Sequence, residues 1–165
     1  MVRQGKQEDL SSMKNSFMPS VKTFLIFLLV FAALPSFGQS DTISKKKFHW
    51  GMGNADTTAG YSQAVLVGKN LYISGTVGHG KTMEEQMKNL YSGIERTLKH
   101  YGLSFHHIVK ENLYTTDIEA TKSANAVRKA FYKGDFPAAT WVQISRLYMP
   151  SALVEVEVIA HLPGD

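Results

Sequence analysis

"GTVGHGKT", Gly75 to Thr82, decides how the rest of the chain is to be folded. It meets every fixed position of the phosphate-binding pattern Gly-x-x-x-x-Gly-Lys-Thr, and Leu71-Tyr72-Ile73 supplies an apolar stretch before it. In a nucleotide site the backbone N–H groups of such a loop cradle phosphates, the Lys reaches the outer phosphate and the Thr holds magnesium. That chemistry needs a strand in a parallel sheet, crossover helices and a carboxylate at the end of a second apolar strand. The sequence upstream argues against it. "SQAVLVGKNLYISG" (62–75) reads as two short strands around Gly68-Lys69-Asn70, which makes the strand before the loop half of an antiparallel hairpin. The only carboxylate at a strand end is Asp117, after the modestly apolar "NLYTT". Lys81 is therefore expected to be a solvated loop residue.

Downstream of the loop, Met83, Met87, Leu90, Ile94, Leu98 and Tyr101 recur at spacings of three and four, which predicts an amphipathic helix over 83–101. Thr82 and Glu85 have the spacing of a capping box at its start, and Gly102 stands where helices commonly end. The box gives Thr82 a role without any nucleotide. A strand is expected from Ile108 to Thr116. A second helix follows in "ATKSANAVRKAFYKG" (120–134), with Ala124, Val127 and Phe131 on one face and its end at Gly134. Two alternating segments, "ATWVQISRL" (139–147) and "LVEVEVIA" (153–160), complete the chain as strands. This order predicts an α+β domain over 59–165, a mixed sheet with both helices packed on one face.

The amino-terminal region has a different character. Phe24 to Leu34 is uninterruptedly apolar, preceded by Lys14 and Lys22 and followed by the small residues Ser36 and Gly38. The run is the length of a secretory h-region and short of the roughly 20 residues of a spanning helix. Residues 1–38 are expected to be a signal peptide cleaved after Gly38, Met13 being a more typical start for it than Met1. That predicts an exported, periplasmic or secreted protein with no membrane attachment after cleavage. Residues 39–58 read as a polar linker or strand containing Lys45-Lys46-Lys47.

Composition narrows the partners. The full chain of 165 residues, 44% hydrophobic and 19% charged, carries a formal net charge of +4, and the first 38 residues take four cations and two anions with them, leaving +2. So low a charge, without an aromatic-basic stripe, argues against a nucleic-acid partner. The chain contains no Cys, which excludes disulfides and thiolate metal sites, and its six His residues lack metal-ligand spacing. No metal and no cofactor are expected.

"GYSQAV", "LYISG", "NLYTTDIEA", "NAVRKAFY" and "FPAATWVQISRL" followed by "LVEVEVIA" together resemble, in this order, the reactive intermediate deaminase family, also called RidA or YjgF. The resemblance spans Gly60 to Ala160. It implies a chorismate-mutase-like fold, a homotrimer, and a small-molecule pocket at each subunit interface. Members hydrolyse enamines and imines to a 2-keto acid and ammonia. The positions it carries over are Tyr61, Ser74, Gly75, Asn125 and Glu155. Tyr61 would offer a wall and a hydroxyl, Ser74 a small donor or acceptor, and Glu155 a carboxylate to orient the attacking water. Gly75 would let the backbone turn beside the ligand.

One position departs from the pattern. Deaminating members read Pro-Ala-Arg-Ser where this chain has Pro137-Ala138-Ala139-Thr140, and the Arg that grips the substrate carboxylate corresponds to Ala139. Charge-assisted hydrogen bonds contribute on the order of 1.5–3 kcal/mol each, so loss of the fork weakens productive binding of a 2-imino acid. Arg146, six to seven residues along the strand, is about 20 Å away if the strand is straight. Two residues beyond Ala139 and on the same side of the strand stands Trp141, expected to be an aromatic plate in the pocket.

Three functions follow from this set. The first is binding or hydrolysis of a small ligand other than a free 2-imino acid. The second is imine or enamine deamination with another carboxylate anchor, and the third is ribonuclease or nucleic-acid binding, which the charge disfavours. Read without the resemblance, Glu155 and Glu157 would be the exposed carboxylates of an edge strand.

Overall fold

The computed structural model describes residues 42–51 and 58–164. The expected signal peptide lies outside the described residues. Among the described residues six strands form one sheet: β1 (Lys46–Phe48), β2 (Ala64–Val67), β3 (Asn70–Val77), β4 (Ile108–Thr115), β5 (Ala138–Gln143) and β6 (Val154–His161). Their spatial order is β1-β2-β3-β6-β4-β5. Only β4 and β5 run parallel; every other neighbouring pair is antiparallel.

The hairpin expected around Gly68 is β2–β3, with Val67 paired to Asn70 and Gly68 at φ 58°. β3 is antiparallel to both of its neighbours, which removes the parallel setting a nucleotide loop requires. The loop has also filled its own anion position. The Glu85 carboxylate accepts from the backbone N–H groups of Lys81 (2.6 Å) and Thr82 (3.2 Å), and the Thr82 hydroxyl accepts from Glu85 N–H at 3.2 Å. The capping box thus occupies donors that a phosphate would need, and Lys81 is exposed.

Helix α1 (Met83–His100) buries Met83, Met87, Leu90, Tyr91, Ile94 and Leu98, and Gly102 takes φ 70° beyond the end at Tyr101. This stripe packs on the face of the sheet that carries Leu71, Ile73, Leu113, Val154, Val156 and Val158. Burial of each such side chain stabilises the fold by roughly 1.5–3 kcal/mol. The buried Gln86 amide adds a polar tie: it donates to Gly80 O and Ser151 O and accepts from Leu153 N–H, fixing the loop before α1 to the start of β6.

The expected second helix is two helices, α2 (Ile118–Ser123) and α3 (Asn125–Tyr132). Asp117 caps α2 through Ala120 N–H, and the backbone bends at Ala124, whose φ and ψ of −85° and 3° leave the helical path. The chain leaves α3 at Lys133, which adopts a left-handed φ of 52° ahead of Gly134 at 96°. The strand expected over 139–147 ends at Gln143. Part of the basic run is ordered: Lys46 and Lys47 pair with Leu66 and Val65, so β1 extends the sheet.

Candidate active site

Four of the expected site residues meet on the sheet face opposite the helices. Tyr61, Ser74, Gly75 and Glu155 line a cleft of about 370 Å³ together with Ala59, Val77, Tyr148 and Met149. The cleft exists because β3 is irregular at this point. Between Ile73 and Thr76 β3 advances three residues while β6 advances two, from Val158 to Val156, so one extra residue is inserted at Ser74-Gly75. Such a bulge disrupts the ladder and re-aims side chains, a common arrangement beside reactive groups.

Each residue at the bulge is held. Ser74 N–H donates to Gln63 O at 3.0 Å, and its hydroxyl donates to Ser62 O at 2.6 Å, which leaves the oxygen lone pairs as acceptors. Gly75 permits the closest approach in the site: a Cβ built there would collide with Glu155 Oε1. Tyr61 and Tyr148 stand at the rim with 46% and 88% of their surface exposed.

Glu155 and Glu157 share a strand and a face, yet their surroundings differ. Glu157 Oε1 accepts from Asn112 Nδ2 at 2.8 Å and from the Tyr114 hydroxyl at 3.1 Å. Glu155 accepts no hydrogen bond from the described residues. Burial, and secondarily the Glu157 charge, raise its carboxyl above the ordinary glutamate value. A carboxyl raised in this way is the kind of group that proton transfer uses. The edge-strand alternative for this pair fails, because β6 lies between β3 and β4.

The remaining expected residues are elsewhere. Asn125 opens α3, and Ala139 and Trp141 lie on β5 at the edge of the sheet. Ala139 and Trp141 do share a side, pairing with Glu111 and Leu113 of β4, but it is the side covered by helices. Trp141 packs against the core and directs its indole N–H toward Glu111 Oε1 at 3.4 Å. In this chain it is therefore no plate in the cleft of Glu155.

Glu111 is a residue that strand alternation on its own does not single out. Its carboxylate is fully buried and accepts from Arg128 Nε (2.7 Å), the Tyr132 hydroxyl (2.6 Å) and the Tyr91 hydroxyl (3.2 Å). Burial first, and then the Glu111 charge, hold both tyrosines well above the ordinary phenol value, so they act as neutral donors. A sequence signal did exist. Glu111 has the parity of buried Leu113, and Arg128 follows Ala124 by four residues on the apolar stripe of α3. Among the described residues no group of three His, Asp or Glu side chains could hold a metal.

Known proteins share this architecture. Residues 52–162 match the family model described as Endoribonuclease L-PSP. The human 2-iminobutanoate/2-iminopropanoate deaminase is 32% identical over 108 residues, covering 61% of this chain and 78% of that protein. A RutC family protein of Aquifex aeolicus is 35% identical over 109 residues, covering 61% and 86%. Among solved structures, a member of the YjgF/YER057c/UK114 family from Mycobacterium tuberculosis superposes with a TM-score of 0.67 at 27% identity, covering 72% of this chain and all of that one. A YjgF family member from Neisseria meningitidis gives 0.65 at 26%, covering 74% and 98%. With the family model spanning most of the chain and the fold matched by these structures, the chain belongs to the Endoribonuclease L-PSP family, the group also known as YjgF or RidA.

Proposed function

We propose that this is an exported hydrolase of carbon–nitrogen double bonds in small imines or enamines, working at a cleft that a neighbouring copy completes in a homotrimer. The observation that carries the proposal is the Glu155 carboxyl, without a hydrogen-bond donor among the described residues, raised in pKa and set against the bulge at Ser74-Gly75. In the reaction Glu155 takes a proton from water as the oxygen adds to the imine carbon and passes it to the nitrogen, giving a carbinolamine. Glu155 then takes the hydroxyl proton and delivers it to the amine, so that ammonia leaves as the carbonyl forms. A general base raised above the ordinary carboxylate range suits this step, and general-base catalysis is worth about 10²–10⁴ in rate. Ser74 Oγ, whose own proton is committed to Ser62, is placed to accept from the substrate nitrogen or the water.

Assembly is supported by what a single chain leaves undone. Tyr61 and Tyr148 are exposed at the cleft mouth, and Asn125 and Ala139 lie away from it. A second copy placing its β5 edge at that mouth would cover the aromatic rim and unite the two sets. The substrate class follows the relatives named for 2-iminobutanoate and 2-iminopropanoate. The test is ammonia release from an imine generated in place by a dehydratase, with and without this protein.

Ala139 favours a second reading, in which the cleft holds an uncharged ligand. Thermal stabilisation by a neutral metabolite, lost on replacing Tyr61, would distinguish it.

A further inference from the structure

The missing cation at Ala139 has a neighbour that can act for it. Ala139 pairs across the sheet with Glu111, and Glu111 holds the guanidinium of Arg128 through Nε alone. The rings of Tyr132, Phe136 and Trp141 surround that guanidinium, with centroids 4.7, 5.4 and 5.5 Å from its carbon. Its two Nη groups donate to no acceptor among the described residues, although the side chain is only 7% exposed, and Asn125 Oδ1 is a buried polar atom that likewise has no partner among them. Asn125 precedes Arg128 by three residues on α3, on the same side of the helix.

From this arrangement we infer that Arg128 is the carboxylate anchor of this protein, taking a 2-imino acid or 2-keto acid by its Nη pair, while Asn125 Oδ1 accepts from the N–H of the imino acid. The inference rests on the imine-hydrolysis function proposed above and deepens it by naming the anchor. A guanidinium is a planar fork of five donors, and capture of Nε by Glu111 leaves the Nη pair with donors to spare. Glu111 and its aromatic neighbours remove the conformational freedom that an anchoring Arg would otherwise lose on binding. Phe136 and the small Ala139, both exposed, leave room for a ligand beside it. The buried amide oxygen on the same helix face has no donor among the described residues, and a bound N–H donor satisfies it.

The test uses 2-oxobutanoate as the acid probe and butanone as its uncharged counterpart, with binding measured by calorimetry. Wild-type protein should bind 2-oxobutanoate at least about tenfold more tightly than butanone. Glu111→Gln combined with Arg128→Gln removes both charges together, so no buried ion is left alone; affinity for the acid should fall at least about tenfold while butanone is unaffected. If that pair of changes does not fold, the unaltered protein carries the test: in a ¹⁵N-arginine spectrum the Arg128 side-chain resonances should shift as 2-oxobutanoate is added. Failure of the wild-type protein to bind the acid, unchanged affinity in the folded double variant, or an unmoved Arg128 signal on binding each overturns the inference. Hydrolysis of 2-iminobutanoate is followed on the same samples. Binding through Arg128 without hydrolysis keeps the anchor and removes the hydrolase function, whereas hydrolysis indifferent to Arg128 does the reverse.

Discussion

The Glu155 carboxylate lies against the α-carbon of Gly75, so close that a methyl group on Gly75 would collide with Oε1. Gly75→Ala should therefore push Glu155 out of place. Because the obstacle is the mobile end of a side chain, stability should fall only at the low end of the roughly 1–3 kcal/mol typical of overpacking, while turnover drops nearly as far as in Glu155→Gln. Gly78→Ala is the contrast. Its Cβ would meet the backbone of Gln86, which cannot swing away, so the loss should appear in denaturant midpoints first. Equal stability losses in the two variants would contradict this account.

Glu155 also sets a pH dependence. Its folded pKa is raised by burial and then by Glu157, so the folded state holds a proton that the unfolded state has released. The contribution to stability is fully present below the unfolded glutamate value and is lost as pH rises through the raised folded one. Thermal midpoints of Glu155→Gln relative to wild type should accordingly improve from acid toward neutral pH. A constant difference would show that the carboxyl titrates alike in both states.

The resemblance of Gly75–Thr82 to a phosphate loop should have no functional echo. MgATP should not raise the melting temperature, and Lys81→Ala should leave it and turnover unchanged. Thr82→Ala, by contrast, removes a helix cap and should cost about 1 kcal/mol. Nucleotide-dependent stabilisation abolished by Lys81→Ala would reverse this assignment.

The buried pair Glu111–Arg128 should behave unlike a surface ion pair. Arg128→Met alone strands a carboxylate in the core and should cost about 3–5 kcal/mol by chemical denaturation. Glu111→Gln with Arg128→Gln should cost less than the sum of the single changes. An additive result would mean that the two side chains do not depend on one another.

Much of this was legible from residue pattern. The hairpin around Gly68, the stripe and capping box of α1, and the grouping of Tyr61, Ser74, Gly75 and Glu155 follow from local chemistry and from motifs that the family shares. Other features depend on tertiary context. Alternating Glu155 and Glu157 look the same on an edge strand and on a central strand whose second face is open, and only strand order separates the two. Trp141 has the parity of Ala139, but parity does not say which face the helices cover. The bend at Ala124 has no breaker residue, since Ala suits a continuous helix. Lys46 and Lys47 form a strand because β2 offers an unpaired edge, not because of their own propensity.

The measurement that bears most directly on the account is the rate of 2-iminobutanoate loss in the presence of purified wild-type protein and of Glu155→Gln. The account predicts acceleration by the wild type and a fall of about 10²–10⁴-fold in the variant, with the variant still folded. A wild-type rate no faster than the uncatalysed one, or a variant as active as wild type, would contradict it.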